Sequence, residues 1–325
     1  MDAIRRIYVR VPRCEEQTKA RKTVRALKGV LLAPLYCMLA RYYGLPGLYL
    51  QRYCSTFGAL MALNPKCRLP FNVRYHLLRG TLDSTRYFEC DFAWRHLIQL
   101  ADVDAFLDVS SPRIFPLMIL VKRLVQKAYL LNPDSADLSR SNQLIDAAKL
   151  QAVCQLFACR LEDASFSEEY FDVVTSLSVV EHIPEDSAAV AKMWALVRPG
   201  GKPILSMPCA REAAEEYHDT DPYSLQSARD GWFFFQRYYD SRLLRERVFQ
   251  VVGYPRHCAI YGEIEPGSLQ RSLQRKLSDP RYPYWQEPLL MAREWRQFCS
   301  IDELPGEGVI AMAFQKAAES VSSSK

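Results

Sequence analysis

The residues with the clearest chemical potential follow a short apolar run in the middle of the chain. Phe106–Val109 reads as a buried strand; it contains Asp108 and is followed by Ser110 and Ser111. A carboxylate at the end of a strand can accept hydrogen bonds from ligand hydroxyls, and hydroxyl and backbone N–H groups can bind an anion. The segment therefore predicts a polar ligand site where this strand ends.

Similar polar residues accompany further predicted strands. Asn132 and Asp134, Glu162 and Asp163, and Ser178 would each follow a strand. Because the carboxyl ends of parallel strands meet at one edge of an open sheet, we expect all of these side chains to converge on one rim.

Short apolar runs alternate with longer helix-like segments from about residue 105 onward. The predicted strands are Phe106–Val109, Ala128–Leu131, Phe171–Ser176, Pro203–Met207, Arg256–Tyr261 and Gly308–Lys316, and the predicted helices are Pro116–Gln126, Ser141 to about Leu156, Ser187–Val197 and Ser241–Phe249. This alternation favours an α/β domain whose parallel sheet is covered on both faces.

Four short motifs occur in order between Arg160 and Pro208: Phe166-Ser-Glu168, Phe171-Asp-Val-Val174, Glu181-His182-Ile183 and Arg198-Pro-Gly-Gly201. In this order and spacing they resemble the central region of the class I S-adenosylmethionine-dependent methyltransferases. The resemblance implies a Rossmann-like fold with a mostly parallel, seven-stranded sheet whose last strand is antiparallel. It also implies S-adenosylmethionine as the cofactor.

The resemblance assigns expected roles to the polar residues. The cofactor-binding set is Asp108, Ser110, Ser111, Asn132, Asp134, Glu162, Asp163 and Ser178. His182 and Glu181 are the candidate catalytic residues, with His182 as a base near the transferred methyl group. Structural roles stay open for both: Asp108 could also cap the next helix, and His182 could close its loop.

The chain departs from the family pattern where glycines are expected, because Ser110, Pro112 and Ile114 occupy those positions. Glycines there allow a tight turn and a close approach of the backbone to the cofactor. Ser111-Pro112 instead favours a helix start, with Ser as N-cap and Pro at the first helical position. Two functions follow. One is a methyltransferase acting on an O or N of a small-molecule, glycan or lipid-linked acceptor; the other is a catalytically inactive binding or scaffolding module of the same fold.

The acceptor pocket is expected between the fifth and sixth strands, in residues 215–240, where this fold often inserts a segment. Tyr217, His218 and Asp219 are the candidate acceptor-binding residues there, and Tyr87 is a further candidate from a lid-like helix before the first strand. The same insertion offers acids with one histidine at irregular spacing, so we expect no metal site.

The first 28 residues carry nine Lys or Arg against Asp2, Glu15 and Glu16. A solvated helix face is one interpretation, and a contact with anionic lipid, nucleic acid or an acidic partner is the other. Gly29–Leu50 is apolar but is interrupted by prolines, glycines and Arg41, which favours a buried helix followed by a turn over a membrane span. Interfacial membrane contact stays open as an alternative. We expect no specific nucleic-acid partner, and nothing in the sequence predicts an oligomeric state.

The composition predicts a soluble globular protein with a net charge of +5. The ten cysteines include no C-x-x-C pair and no zinc-ligand spacing, and the start lacks a secretory signal, so a cytoplasmic protein, with membrane association as a further option, is expected. The predicted organisation is a helical N-terminal extension over 1–85, a methyltransferase-like domain over 86–318 with insertions at 209–240 and 263–305, and a disordered tail over 319–325.

Overall fold

The computed structural model describes residues 4–11, 18–79, 82, 84–221, 223, 225–279 and 282–318, so the predicted tail at 319–325 lies outside the described residues. The strands are β1 (Arg5–Val9), β2 (Ala105–Val109), β3 (Lys127–Leu131), β4 (Cys154–Phe157), β5 (Phe171–Leu177), β6 (Val197–Ala210), β7 (Ala214–His218), β8 (Phe233–Tyr238), β9 (His257–Glu263), β10 (Trp295–Phe298) and β11 (Glu307–Ala313). The helices are α1 (Lys19–Tyr42), α2 (Leu48–Leu63), α3 (Phe71–Arg79), α4 (Arg86–Leu97), α5 (Ile114–Val121), α6 (Ser135–Ala148), α7 (Asp186–Leu196), α8 (Ser241–Leu244), α9 (Gln250–Val252), α10 (Ser268–Ser278) and α11 (Glu287–Glu294).

The central sheet has the strand order β10-β9-β11-β6-β5-β2-β3-β4. Strands β4, β3, β2, β5 and β6 pair in parallel, whereas β11 is antiparallel to both β6 and β9. This topology confirms the predicted Rossmann-like α/β fold and its antiparallel last strand. The chain order reverses between β2 and β5, which is the switch point where open α/β sheets place their ligands.

The sheet contains one strand more than the predicted seven. Trp295–Phe298 forms β10, which pairs antiparallel with β9 at the edge of the sheet. The sequence pattern is weak because this strand has only four residues, of which the first and last, Trp295 and Phe298, are buried. Two buried positions in an Arg- and Tyr-rich segment do not give an alternation that can be recognised.

Strand β4 corrects the predicted helix that was to run from Ser141 to about Leu156. Helix α6 starts earlier, at Ser135, and ends at Ala148, where Lys149 takes a left-handed conformation with φ 58°. Cys154–Phe157 then pairs in parallel with β3. A Lys in the left-handed conformation carries none of the glycine signal that normally marks a helix end, so the boundary was missed.

The N-terminal extension is not entirely helical. Arg5–Val9 forms β1, which pairs in parallel with β7, and β8 completes this second sheet in the order β1-β7-β8. In β1 the residues Ile7 and Val9 are partly buried, and the Tyr8 ring stacks on that of Tyr217. The prediction that the first basic residues form a helix face is therefore wrong for Arg5–Val9, because Ile7 and Val9 follow the two-residue period of a strand.

Helix α1 covers most of the segment that was expected to form a buried helix, but it is largely exposed. It starts ten residues before Gly29, runs through Pro34, and is long and apolar enough to cross a membrane by length and composition. Its packed face consists mainly of small residues, Ala26, Gly29 and Ala40, so its large apolar side chains point away from the domain. The expectation of a buried helix was therefore wrong.

Gly47 joins the helical extension to the α/β domain. It precedes α2 with φ 77°, and a Cβ atom at this position would lie 2.3 Å from the backbone oxygen of Tyr87 in α4. Gly44 has a similar φ of 76°, yet a Cβ atom there would have nothing within 4 Å. The two glycines thus share a backbone conformation and differ in the space around them.

We predict that Gly47→Ala lowers the free energy of unfolding by at least about 2 kcal/mol more than Gly44→Ala. Both variants place a Cβ atom in the left-handed region, at a cost of about 1–2 kcal/mol, but only the first forces α2 away from α4. Urea denaturation of the two variants measures the difference. Equal free energies of unfolding would contradict the close contact.

Candidate functional site

A cavity of about 730 Å³ opens at the carboxyl ends of β2, β3 and β5. Its walls come from the turn after β2, the turn after β3, the loop at residues 160–162, the segment after β5, residues 221–235 and helix α3. A volume of this size lies within the range of about 300–1,000 Å³ found for cofactor and substrate pockets. The cavity lies at the switch point of the sheet, as expected for a ligand site in this fold.

Asp108 lies behind the cavity wall, and it is only 2% exposed. Its Oδ1 accepts a hydrogen bond from Thr175 Oγ1 at 2.7 Å, and its Oδ2 accepts one from the backbone N of Ser111 at 3.1 Å. Burial raises the pKa of Asp108 to about 6. The side chain does not line the cavity. The geometry thus gives Asp108 an indirect role, which is to hold the turn after β2 against β5.

Ser110 keeps the backbone conformation that a glycine would adopt at this position. Its φ is 54°, and both its backbone N and its Oγ donate to the carbonyl oxygen of Leu131, at 2.9 and 3.0 Å. The left-handed conformation costs a non-glycine residue about 1–2 kcal/mol, which these two hydrogen bonds to β3 offset. The tight turn of the family is therefore present without its glycine, and Ser110 lines the cavity.

The expectation that Ser111 and Pro112 start the next helix was wrong. Helix α5 begins at Ile114 with Arg113 at its N-cap and without a side-chain cap. The Oγ of Ser111 instead accepts a hydrogen bond from the backbone N of Leu177 at 3.0 Å, so it fastens the turn to the end of β5. A helix N-cap and a hydrogen bond to β5 would both use the Oγ of Ser111 as the acceptor, so the sequence alone does not distinguish the two roles.

Residues after β3 form the second wall of the cavity. The Oδ1 of Asn132 accepts from the backbone N of Asp134 at 2.9 Å, and its Nδ2 donates to Oδ2 of Asp137 at 3.1 Å. Asp134 caps α6 by accepting from the backbone N atoms of Ala136 and Asp137. Asn132, Asp134 and Asp137 all line the cavity, and the sequence predicted a place at this rim for the first two. Asp137, which the sequence analysis missed, adds a carboxylate.

Arg113 also lines the cavity, where it forms an ion pair with Asp137. Within the described residues its buried Nε has no hydrogen-bond partner. Of the two predicted acids in the loop before β5, Glu162 lines the cavity and lies 3.7 Å from Arg160. Asp163 is exposed and does not line the cavity.

Ser178 lies at the end of β5 with φ 50°, and its Oγ donates to Oε1 of Glu89 at 2.6 Å. Glu89 is fully buried in α4, and its other carboxylate oxygen pairs with Arg86 at 2.5 Å. Both Ser178 and Arg86 line the cavity. No sequence motif marks Arg86, and its predicted neighbour Tyr87 is buried and does not reach the cavity.

His182 lines the cavity, and Glu181 lies buried behind it. The Nδ1 of His182 lies 2.6 Å from the backbone oxygen of Phe235, so Nδ1 carries the proton and Nε2 keeps its lone pair. Burial lowers the pKa of His182 to about 4 and raises the pKa of Glu181 to about 8. Both side chains are therefore uncharged at neutral pH, with His182 Nε2 lying 3.9 Å from Glu181 Oε1.

The three predicted acceptor-binding residues of the insertion lie in β7 and just after it, outside the cavity lining. Tyr217 donates to Glu215, His218 pairs with Glu216 at 2.7 Å, and Asp219 accepts from the backbone N of Val11. Cavity residues of this insertion come instead from the adjoining loop and β8: Asp221, Tyr223, Leu225, Gln226, Phe234 and Phe235.

Tyr223 and Gln226, which precede β8, contact His182. Asp221 accepts from the backbone N atoms of Tyr223 and Gln226, and Gln226 Nε2 donates to the backbone oxygen of His182 at 3.1 Å. The Tyr223 ring meets the imidazole edge-on at 5.7 Å. His218 supports the same wall from behind, since its ring stacks on Phe235 at 3.8 Å.

The donor set of the cavity fits a nucleoside with a charged amino-acid tail. Asn132 and Asp137 offer an amide and a carboxylate for ribose hydroxyls, and the apolar residues Leu131 and Leu161 lie beside them. Arg86, Ser110 and the unpartnered Nε of Arg113 offer donors for a carboxylate. Within the described residues no group of three or more His, Cys, Asp or Glu side chains could hold a metal ion.

Residues 107–205 match the family model described as the methyltransferase domain. This stretch extends from β2 into β6 and contains the turn, both acidic loops and the Glu181-His182 segment. Residues 107–205 of this chain are therefore similar to a methyltransferase domain. No curated protein matches the sequence.

Solved structures with a similar fold include a geranyl diphosphate methyltransferase in complex with S-adenosylmethionine, which is 12% identical, covers 70% of this chain and 84% of its own, and has a TM-score of 0.46. The geranyl diphosphate C-methyltransferase from Streptomyces coelicolor A3(2) is 11% identical over 70% of this chain and 79% of its own, with a TM-score of 0.46. The [4+2]-cyclase SpnF is 9% identical, covers 82% of this chain and 96% of its own, and has a TM-score of 0.44.

We predict that the stability of Asp108→Asn relative to the unchanged protein increases with pH. The pKa of Asp108 in the folded state, about 6, lies above its ordinary value of 3.8, so the folded protein binds this proton more tightly than the unfolded chain. The penalty for the charged form is absent below about pH 4 and complete above about pH 6. Between these limits the difference in free energy of unfolding should shift by roughly 2–3 kcal/mol in favour of the variant.

Urea denaturation across this pH range measures the shift. The exposed acid Asp163 provides the control. The free energies of unfolding of Asp163→Asn and the unchanged protein should differ by a constant amount across this pH range. A constant difference for Asp108→Asn as well would contradict the raised pKa and the tight burial behind it.

Proposed function

We propose that this protein transfers a methyl group from S-adenosylmethionine to an oxygen or nitrogen of a small acceptor with an apolar or aromatic portion. The observation that carries the proposal is the state of His182: it lines the cavity, it is neutral, and the Phe235 carbonyl fixes its tautomer. A neutral imidazole with a free lone pair can accept the proton that an O–H or N–H acceptor loses on methylation.

The cofactor, when bound, supplies an electrophilic methyl group on a sulfonium centre. The residues of this chain position the reactants, which is the main requirement of an in-line displacement. Asn132 and Asp137 are proposed to hold the ribose, and Arg86, Arg113 and Ser110 the carboxylate. Asp134, Glu162 and Ser178 complete the proposed polar lining, whereas Asp108 and Ser111 act indirectly by holding the turn.

Apolar residues in the cavity lining support an acceptor with an apolar part. Tyr223, Phe234 and Phe235 contribute aromatic surface from the insertion, and Val73 and Leu77 contribute aliphatic surface from α3. Flat aromatic and aliphatic surfaces bind apolar groups better than they bind an unsubstituted sugar. A small amphiphile or a lipid-linked acceptor therefore suits the cavity better than a free glycan.

One observation favours the second function, a catalytically inactive binding module. Pro112 lines the cavity in place of a family glycine, and it has no backbone N–H for an anion. The arginine donors on the same wall compensate for this loss, so we place the active enzyme first. The two functions differ in whether methyl transfer follows cofactor binding.

We predict that His182→Asn lowers methyl transfer roughly a hundredfold or more while it leaves binding of S-adenosylhomocysteine unchanged within about threefold. The amide of Asn can still donate to the Phe235 carbonyl but has no basic nitrogen. The assay incubates the protein with methyl-labelled S-adenosylmethionine and separate small-molecule and lipid extracts, and counts the label transferred to each. His257→Asn, at the exposed start of β9, is the matched control.

The pH profile adds an independent readout. Because burial lowers the pKa of His182 to about 4, transfer should persist well below the ordinary histidine pKa of 6.5. Full transfer by His182→Asn would remove this residue from the mechanism. Cofactor binding without label in any extract would favour the inactive binding module.

A further inference from the structure

The outer face of α1 carries a continuous stripe of exposed apolar side chains. Its members recur at spacings of three, four and seven residues, which places them on one side of the helix. They are Val24 at 53% exposure, Leu27 at 60%, Leu31 at 76%, Leu35 at 48%, Met38 at 63% and Tyr42 at 88%. Scattered exposed apolar residues are ordinary on a protein surface, but a contiguous stripe marks an interaction site.

The opposite side of α1 is fixed along the domain. Ala26 and Ala40 are buried fourteen residues apart, Arg25 donates to the backbone oxygen of Tyr282 at 2.5 Å, and the Tyr36 hydroxyl accepts from Gln286 at 3.1 Å. These contacts hold the helix flat against the domain from near its start to near its end. A helix that crossed a bilayer would have to break them, although α1 has the length and composition to cross one.

The charge around the stripe indicates which partner covers it. Residues 17–82 contain eleven Lys or Arg and no Asp or Glu, which leaves 31 basic and 37 acidic residues in the rest of the chain. The basic residues Lys19, Lys28 and Arg41 of α1 are exposed. An apolar stripe bordered by cations with no acid is complementary to an anionic lipid surface, where each basic residue near the headgroups contributes about 1 kcal/mol.

Tyrosines gather where α1 meets α2. Tyr42, Tyr43 and Tyr49 are 88%, 53% and 65% exposed, and all three follow the apolar stripe without an intervening acid. Tyrosine has an apolar ring and a polar hydroxyl, so it is favoured at the boundary between acyl chains and water.

We propose that the outer face of α1, together with the tyrosines at its end, docks the protein in the plane of an anionic membrane surface. The same helix borders the cavity, since Lys22 in its first turn lines the opening next to Asn72 of α3. Docking therefore brings the cavity to the membrane surface. The proposal rests on the exposed face and its charge, and it holds whether or not the protein transfers methyl groups.

The test is co-sedimentation of the full chain with vesicles of equal parts phosphatidylcholine and phosphatidylglycerol. We expect binding that weakens in phosphatidylcholine alone and at high salt. Leu31→Gln/Met38→Gln should lower vesicle partitioning roughly tenfold or more, because both side chains are exposed in the free protein and buried in the bilayer. Tyr254→Gln/Ile264→Gln is the matched control, since these side chains are exposed apolar residues outside α1 and α2.

Lys19→Gln/Lys28→Gln/Arg41→Gln should lower partitioning by a similar factor and reduce its salt dependence. Circular dichroism of each variant shows that the fold is kept. Equal partitioning of the unchanged protein and the Leu31/Met38 variant overturns the proposal, as does the absence of binding to the anionic vesicles. Resistance of the bound protein to alkaline carbonate also overturns it, because α1 would then span the bilayer. A dimer in ultracentrifugation that the Leu31/Met38 variant abolishes, without vesicle binding, would assign the face to a second copy of the chain.

Discussion

The hydrogen bonds of Asp108 are the interaction on which the rest of the site depends. They connect the turn after β2 to the side chain of Thr175 in β5, across the switch point of the sheet. Ser111 adds a second tie between the same two strands, to the backbone N of Leu177. Together these bonds hold Ser110 in a left-handed conformation, so a turn that usually needs glycines keeps its shape without them. The Asp108 carboxyl is buried, and burial raises its pKa because it disfavours the charged form.

A second consequence concerns the charges around the cavity. Glu89 is buried between Arg86 and Ser178, so α4 is connected to the end of β5 through a charged pair and a hydroxyl. Glu181 and His182 lie next to this pair and are both neutral at neutral pH. The proposed site therefore combines arginines for an anionic group with an uncharged histidine for an acceptor proton. The helical extension completes it from the other side through α3 and the first turn of α1.

The fold could be predicted from the sequence because strands such as Phe171–Leu177 are buried throughout and β-branched, and because the four motifs occur in register. The cavity positions of Ser110, Asn132 and Ser178 followed from the same rule about strand ends. Tyr217 and His218 belong to β7 of the second sheet and do not line the cavity, and that sheet depends on β1, which is far away in sequence. Arg86, Arg113 and Asp137 carry no motif, and only the three-dimensional fold brings them together. The exposure of α1 was not predicted, because the hydropathy of a helix does not show which of its faces packs against the domain.

The central claim is that a turn built from Ser110, Ser111 and Pro112 still forms a cofactor site. Isothermal titration of the unchanged protein with S-adenosylhomocysteine tests it most directly, with Asn132→Ala/Asp137→Ala as the site variant and Asp163→Ala as the control. We expect micromolar binding by the unchanged protein and the control, and a loss of roughly tenfold or more in the site variant, since two polar contacts to the ribose are removed. Absence of binding by the unchanged protein at millimolar ligand, or equal affinity of all three proteins, would contradict the claim.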